Sequence, residues 1–554
     1  MPHEDTGDTP DGTSAILGLV DEQGVQNLQA EQNSRLPISR LHTEILTSIF
    51  LLCAPDPKTW HSTSRDLAIT HVCHLWREIA LDCSMIWTRP IFLVPSLARE
   101  MISRSRQSLL DIYFLPMSPE RTLKADPVLW EAVSCPHQMR RIRVLELHLN
   151  YKGPLWGDII SSLIQPMPSL QSLSIFFGLE PERQTVLMLS TKLLGGEPPS
   201  HLTRLCLSRC YVPWTFGSWS SNLTALHAEG FQYERPTEQA FYGVLQRSPQ
   251  LEDVRLGVYA LPRSTAMTPL TVKLPALKHL SLRSSISRSE VDNCSAVLNN
   301  IVFPVDTKVK ITVIEHAFRS LSRPLTLFMP IVRSLSQHFQ VSAGLQDIAI
   351  RSVSLFPCFG GGLDLQAWRT EMTSMETFDN HIFPLPQRRD LHDPELHLKL
   401  DVETDITAPS NDAVINATSA IIPSAFISTL YIGYPQIDFG PLLVPFMYST
   451  QLKYLFIQNV WQVTQMLSVL CQASSEMLTM PALQELAFEG IEKWDVFLQN
   501  LIRYLDIRSL YGAPLPNVSF RNTSPIPYEV LRGWMVEGGP LDNSAFAPYE
   551  LGRS

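Results

Sequence analysis

The sequence predicts an α/β chain in which a small all-helical module near the N-terminus is followed by an irregular α/β solenoid. Three observations carry that prediction: two amphipathic helical stripes within residues 35–90, a leucine-patterned strand unit recurring through residues 91–520, and a composition of 42 prolines against 25 glycines in 554 residues. Abundant proline with scarce glycine favours short elements joined by stiff turns over long helices or glycine-rich phosphate loops. At 45% hydrophobic residues the chain can bury one large core or several.

Residues 1–34 carry seven acidic side chains, no lysine or arginine and few bulky apolar groups, so they are expected to form a disordered acidic leader. The pattern then changes. Leu41, Ile45, Leu46, Ile49, Phe50 and Cys53 recur at three- and four-residue spacings, which places them along one stripe of a first helix. After a loop containing Pro55 and Pro57, a second stripe runs through Ile69, Val72, Trp76, Ile79, Ala80 and Cys83, with Asp66 as its expected N-cap. Ser84 to Trp87 reads as a short third turn.

Beyond Pro90 the unit L-x-x-L-x-L recurs, its last part alternating at period two as a half-buried strand requires. Clear copies begin at Ile142, Leu170, Leu202, Leu223, Leu251, Leu277, Leu452 and Leu483, and weaker ones at Leu345 and Ile427. The first six starts are 28, 32, 21, 28 and 26 residues apart. A unit of that size cannot bury its apolar face alone, and stacked neighbours would build a curved sheet. The period lapses over residues 299–412, where Pro357 to Gly362 suggests an inserted loop or irregular turn, and residues 521–554 read as a C-terminal tail or cap.

Two family resemblances follow from these residues. The segment Arg40-Leu41-His42-Thr43-Glu44-Ile45-Leu46-Thr47-Ser48-Ile49-Phe50 resembles the opening of an F-box. Val72-Cys73-His74-Leu75-Trp76-Arg77-Glu78-Ile79-Ala80, followed seven residues later by Trp87, is similar to the family's second block. The match covers about fifty residues and departs once: His42 stands where the family has proline, forgoing a preset φ at the helix start. The spacing of the later units resembles that of leucine-rich repeats, although the Asn or Cys that usually follows such strands is missing from most copies.

The F-box resemblance implies docking onto a Skp-type adaptor, and through it a cullin, with Leu41, Glu44, Ile45, Leu46, Ile49, Phe50, Val72, Cys73, Trp76, Ile79 and Trp87 as the adaptor-binding set. Trp76 and Trp87 are expected to favour the module's own core, and Leu41, Ile45 and Ile49 the contact face. The function implied is that of the substrate-recognition subunit of a ubiquitin ligase, with transfer done by partner proteins. A leucine-repeat scaffold with no part in ubiquitin transfer is the alternative, and a helical cap for the solenoid is the plainest account of the two stripes.

In a leucine-repeat strand the residues between the leucines face the concave surface. They are Arg204, Cys206 and Ser208; Ala225, His227 and Glu229; Asp253, Arg255 and Gly257; and His279, Ser281 and Arg283. Arg204, Arg255 and Arg283 would form a target-binding pocket for an acidic or phosphorylated segment if they converge, because guanidinium matches phosphate bidentately. Glu229 and Asp253 beside them favour a solvated mixed-charge face. Tyr454 and Phe456 are candidate aromatic anchors for an unknown target protein.

Several function classes are disfavoured. The net charge of −10 gives no global positive field for nucleic acid. The nine cysteines form no C-x-x-C pair and favour a reducing, intracellular setting, cytoplasmic or nuclear. No apolar run suits a membrane span or a signal peptide. His392 and His397 match no metal-ligand spacing, and no Walker, nucleophile-elbow, zincin or dinucleotide fingerprint occurs, so no enzyme activity, metal or cofactor is expected.

Overall fold

The computed structural model describes, apart from single positions and short gaps, residues 31–53, 64–115, 119–149, 156–178, 187–211, 222–229, 235–263, 270–314, 329–343, 350–373, 394–401, 426–433, 446–458 and 478–521. The acidic leader lies almost wholly outside these, as do the Pro55 and Pro57 loop, His392 and the tail beyond Arg521. The protein is mixed α/β and divides into two compact units, Met1–Leu173 and Ser174–Ser554.

The first unit opens with a 3-10 turn, Pro37–Arg40, and helix α1 (Thr43–Cys53). A second 3-10 segment, Ser64–His71, precedes α2 (His74–Asp82). Asp66 lies inside that segment and therefore does not cap α2, whose N-cap position falls to Cys73 without a side-chain hydrogen bond. The second apolar stripe thus spans two elements, because the chain breaks helical geometry between His71 and His74. Ser84–Trp87 forms the expected short turn, and α3 (Pro95–Arg104), opened by a proline at its first position, follows.

These helices close on a core of Leu46, Phe50, Ile79, Ala80, Ile86, Trp87, Ile91 and Met101, with Trp76 packed half-buried against it. Phe50 and Trp76 meet with ring centroids 4.9 Å apart. Trp87 is 3% exposed, donates its indole N–H to the Ala80 carbonyl at 2.8 Å, and lies under the Arg104 guanidinium at 5.2 Å. Full burial of each such side chain is worth about 1.5–3 kcal/mol, and the satisfied N–H removes the penalty tryptophan would otherwise carry. The unit also holds α4 (Pro119–Ser134), α5 (Trp156–Ser162) and the parallel pair β1 (Leu110–Phe114) and β2 (Ile142–Leu149).

The second unit is built on a large, mostly parallel sheet. Its strands are β3 (Ser172–Phe177), β4 (Arg204–Ser208), β5 (Ala225–Glu229), β6 (Asp253–Leu256), β7 (His279–Ser285), β8 (Lys308–Ile314), β9 (Ser352–Cys358), β10 (Gly362–Trp368), β11 (Leu396–Asp401), β12 (Thr429–Ile432), β13 (Tyr454–Gln458), β14 (Glu485–Glu489) and β15 (Asn517–Arg521). From β3 to β8 and from β12 to β15 each strand lies beside the next in sequence. Between these runs the order is β11-β10-β9, with β10 antiparallel to both neighbours, so that β11 extends β8 and β9 extends β12 in the common direction.

Residues 299–412 are therefore not an insertion outside the sheet: their described part supplies β8, β9, β10 and β11. The Pro357 to Gly362 stretch ends β9 and begins β10, with Cys358 opposite Gly362. The segment after Tyr511 likewise contributes β15, paired parallel to β14.

In β7 and β8 alternation decides which side of the strand is buried. In β7 Leu280, Leu282 and Ser284 are buried while His279 and Arg283 are exposed. Three helices are described alongside the strands of this unit from its start to β8 and just beyond: α6 (Glu238–Arg247), α7 (Arg288–Asn300) and α8 (Met329–Ala343). Thr237 and Ser287 cap the first two by accepting hydrogen bonds from Ala240 and Glu290 N–H. α7 packs on β7 and on α8, where Ser295 and Ser334 hydroxyls lie 2.8 Å apart. A last helix, α9 (Trp494–Leu510), precedes β15.

Candidate functional site

Two surfaces gather the residues singled out by sequence, one in each unit. In the first unit, burial divides the adaptor-binding set. Leu46, Phe50, Ile79 and Trp87 are at most 9% exposed and belong to the core, so they are withdrawn as contact residues: a side chain already packed on all sides has no area left to offer. Trp76 and Cys73 are half-buried, as is Ile49. The exposed members are Leu41, Glu44, Ile45 and Val72, the apolar three being 37%, 48% and 57% accessible. Leu52 and Leu75, not singled out by sequence, are exposed on the same two helices. Five large apolar side chains on an eleven- and a nine-residue helix and their flanks are more than isolated surface leucines account for. α1 starts without proline, its first two N–H bonds running from Ile45 and Leu46 to the His42 carbonyl.

In the second unit, strand register decides what meets on the polar face of β4 to β8. One rung runs Arg204, Ala225, Asp253, His279, Lys308; the next runs Cys206, His227, Arg255, Ser281, Lys310. A third brings Ser208 opposite Glu229 and Arg283 opposite Thr312. Phe176, Cys206, Ser208, His227, Glu229, Arg255, Gly257, Ser281 and Arg283 line an open concavity of about 220 Å³.

The charges in it and beside it are paired. Glu229 accepts from the Ser208 hydroxyl at 2.8 Å and from Arg283 Nη1 at 3.0 Å. Asp253 accepts from Arg255 Nε and Nη2 at 3.0 and 2.9 Å, and its Oδ2 lies 3.0 Å from His227 Nε2. Burial pushes the Asp253 carboxyl up, but the hydrogen bonds and charges of His227 and Arg255 outweigh it and hold the group at about 2. Gly257 is required by this arrangement: a Cβ there would sit 2.8 Å from Glu229 Cγ and 3.0 Å from its Cα.

The three arginines do not form one pocket. Arg204 stands one rung away and does not line the concavity, while Arg255 and Arg283 are held by carboxylates. The two lysines of β8, which sequence reasoning missed, join this face; the signal was the strict alternation in Lys308-Val309-Lys310-Ile311-Thr312-Val313-Ile314.

The aromatic candidates fare differently. Phe456 is fully buried in a cluster with Trp368, Met372, Tyr431 and Ala487, so it is withdrawn as a target anchor. Tyr454 packs half-buried against that cluster, its ring 6.3 Å from Phe456. Further along, His397 Nε2 lies 3.1 Å from Asp364 Oδ1, and among the described residues no group of three metal-ligating side chains occurs. No described helix is long and apolar enough to cross a membrane.

No family model and no curated protein matches the chain.

Proposed function

We propose that residues 35–90 form an F-box-like helical module that docks on a Skp-type adaptor, and that the parallel sheet of the second unit, a leucine-repeat-like solenoid, presents a face for a target protein. The chain would then serve as the substrate-recognition subunit of an adaptor–cullin ubiquitin ligase. It would bring the target near the transfer machinery and supply no catalytic residue.

The observation that carries the proposal is the partition of one amphipathic helix pair. Phe50, Ile79 and Trp87 close a core without help from a partner, yet Leu41, Ile45, Leu52, Val72 and Leu75 stay exposed. An apolar face of that kind loses free energy in water until something covers it. The quoted F-box motifs name what that something would be.

Co-purification of the full chain with a Skp-type adaptor tests this. Wild type should capture the adaptor, and a Leu41→Asp, Ile45→Asp double substitution, at exposed positions outside the core, should remain folded by circular dichroism and lose capture. Retention of binding by the double variant, or none by wild type, ends the docking proposal. Recovery of a cullin in the same complex separates a ligase subunit from an adaptor-bound scaffold.

A further inference from the structure

We infer that the polar face of β4 to β8 is a docking surface for a carboxylate-rich, extended segment of a partner protein. The electrostatics of this face run against those of the chain. Its outward residues include Arg204, Arg255, Arg283, Lys308 and Lys310 against only Asp253 and Glu229, in a protein whose net charge is −10. A basic patch set in an acidic protein creates a local positive field that attracts acidic segments.

The two carboxylates are already committed, Asp253 to Arg255 and His227, Glu229 to Arg283 and Ser208. Among the described residues Arg204 and Lys310 are exposed and carry no ion-pair partner, and Lys308 and His279 stand on the same rungs. The paired groups thus shape the floor, fixed by the Gly257 approach to Glu229, while Arg204 and Lys310 supply uncommitted charge at its two sides. Strands about 4.8 Å apart place the β4 and β8 ends of a rung roughly 19 Å from each other. An extended peptide covers that distance in about six residues.

The inference refines the target-binding half of the proposed function, but its test needs no adaptor. A fluorescein-labelled octapeptide of alternating Glu and Ser would be titrated with the full chain and followed by anisotropy, beside a Gln-and-Ser counterpart. The acidic peptide should bind at least tenfold more tightly than the neutral one. Its affinity should fall about tenfold or more in an Arg204→Glu, Lys310→Glu double variant, and stay within twofold in Arg333→Glu, a charge reversal on α8. Equal binding of both peptides, or unchanged affinity in the double variant, overturns the inference. The same double variant should still capture the adaptor, so loss of peptide binding alone and loss of adaptor binding alone point to different failures.

Discussion

The same strand pattern is used in two ways in the second unit. In β4 to β8 the residues of one rung are Cys206, His227, Arg255, Ser281 and Lys310, and all but the buried Cys206 remain at the surface or half-buried beside an open concavity. In β12 to β14 the equivalent residues are Tyr431, Phe456 and Ala487, fully buried with Trp368 and Met372. Register links the two: Lys310 pairs His397, His397 pairs Gln366, Gln366 pairs Ser354, and Ser354 pairs Tyr431. One rung therefore passes from a solvated polar face to a dry aromatic one. What differs is the cover, since Trp368 ends the antiparallel strand β10 and Met372 follows it. A solvated polar face and a closed aromatic one can share one repeat pattern, and the inter-leucine residue types distinguish them.

The sharpest way to break this comparison is truncation on each side. Phe456→Ala should cost about 3–5 kcal/mol, as burial and cavity terms both act, and a midpoint shift in urea would report it. If that loss is as small as the one for Arg255→Ala, the aromatic face is not the closed one. Next in size is Arg508, fully buried on α9 and donating to the carbonyls of Thr479, Met480 and Leu483 at 3.2, 2.9 and 3.2 Å. Arg508→Met keeps the bulk and strands those acceptors, for an expected loss of about 3 kcal/mol.

On the open side, Asp253 makes stability depend on acid. Its folded-state value of about 2 lies below the ordinary 3.8, so its contribution is nearly complete above about pH 4 and is lost as pH falls through 2. Asp253→Asn should lose about 2 kcal/mol at pH 7 and only about 0.4 kcal/mol at pH 2, where the carboxyl is half protonated in the folded protein. An equal loss at both pH values would show that packing and not charge explains the effect. Gly257→Ala, through the clash with Glu229, should cost about 1–2 kcal/mol. Arg255→Ala, with its side chain 58% exposed, should stay within about 1 kcal/mol.

Much of the strand framework was legible. From Leu170 onward, each clear L-x-x-L-x-L copy has a strand starting two residues after its first leucine, as at Leu202 with β4 and Leu483 with β14. The reason is local: the alternating half of the motif can bury one face only as a strand. β8 was missed because its apolar positions are Val309, Ile311 and Val313, without the leucine spacing. β10 was missed because an antiparallel return follows from hairpin geometry rather than from a period. The division of the helical module was half legible: Leu41 and Ile45 are exposed, but Phe50 on the same stripe and Ile79 on the second are core. Helical periodicity identifies a stripe and not which of its edges meets solvent. The pairing of Arg283 with Glu229 depended on which strands lie close together, which no single strand's sequence contains, whereas Arg255 pairs with Asp253 two residues away on its own strand.

The reversed β11-β10-β9 order bears on how the chain acquires its structure during synthesis. From β4 to β8 every new strand can add to one already in place, a short-range and rapid growth. After β8 that rule fails. The next strand made, β9, has its places beside β10 and β12, while the edge of β8 stays open until residues 396–401 emerge. A nascent chain halted between these points would hold an exposed parallel edge with Val309, Ile311 and Val313 along it, the kind of surface that holdase chaperones recognise.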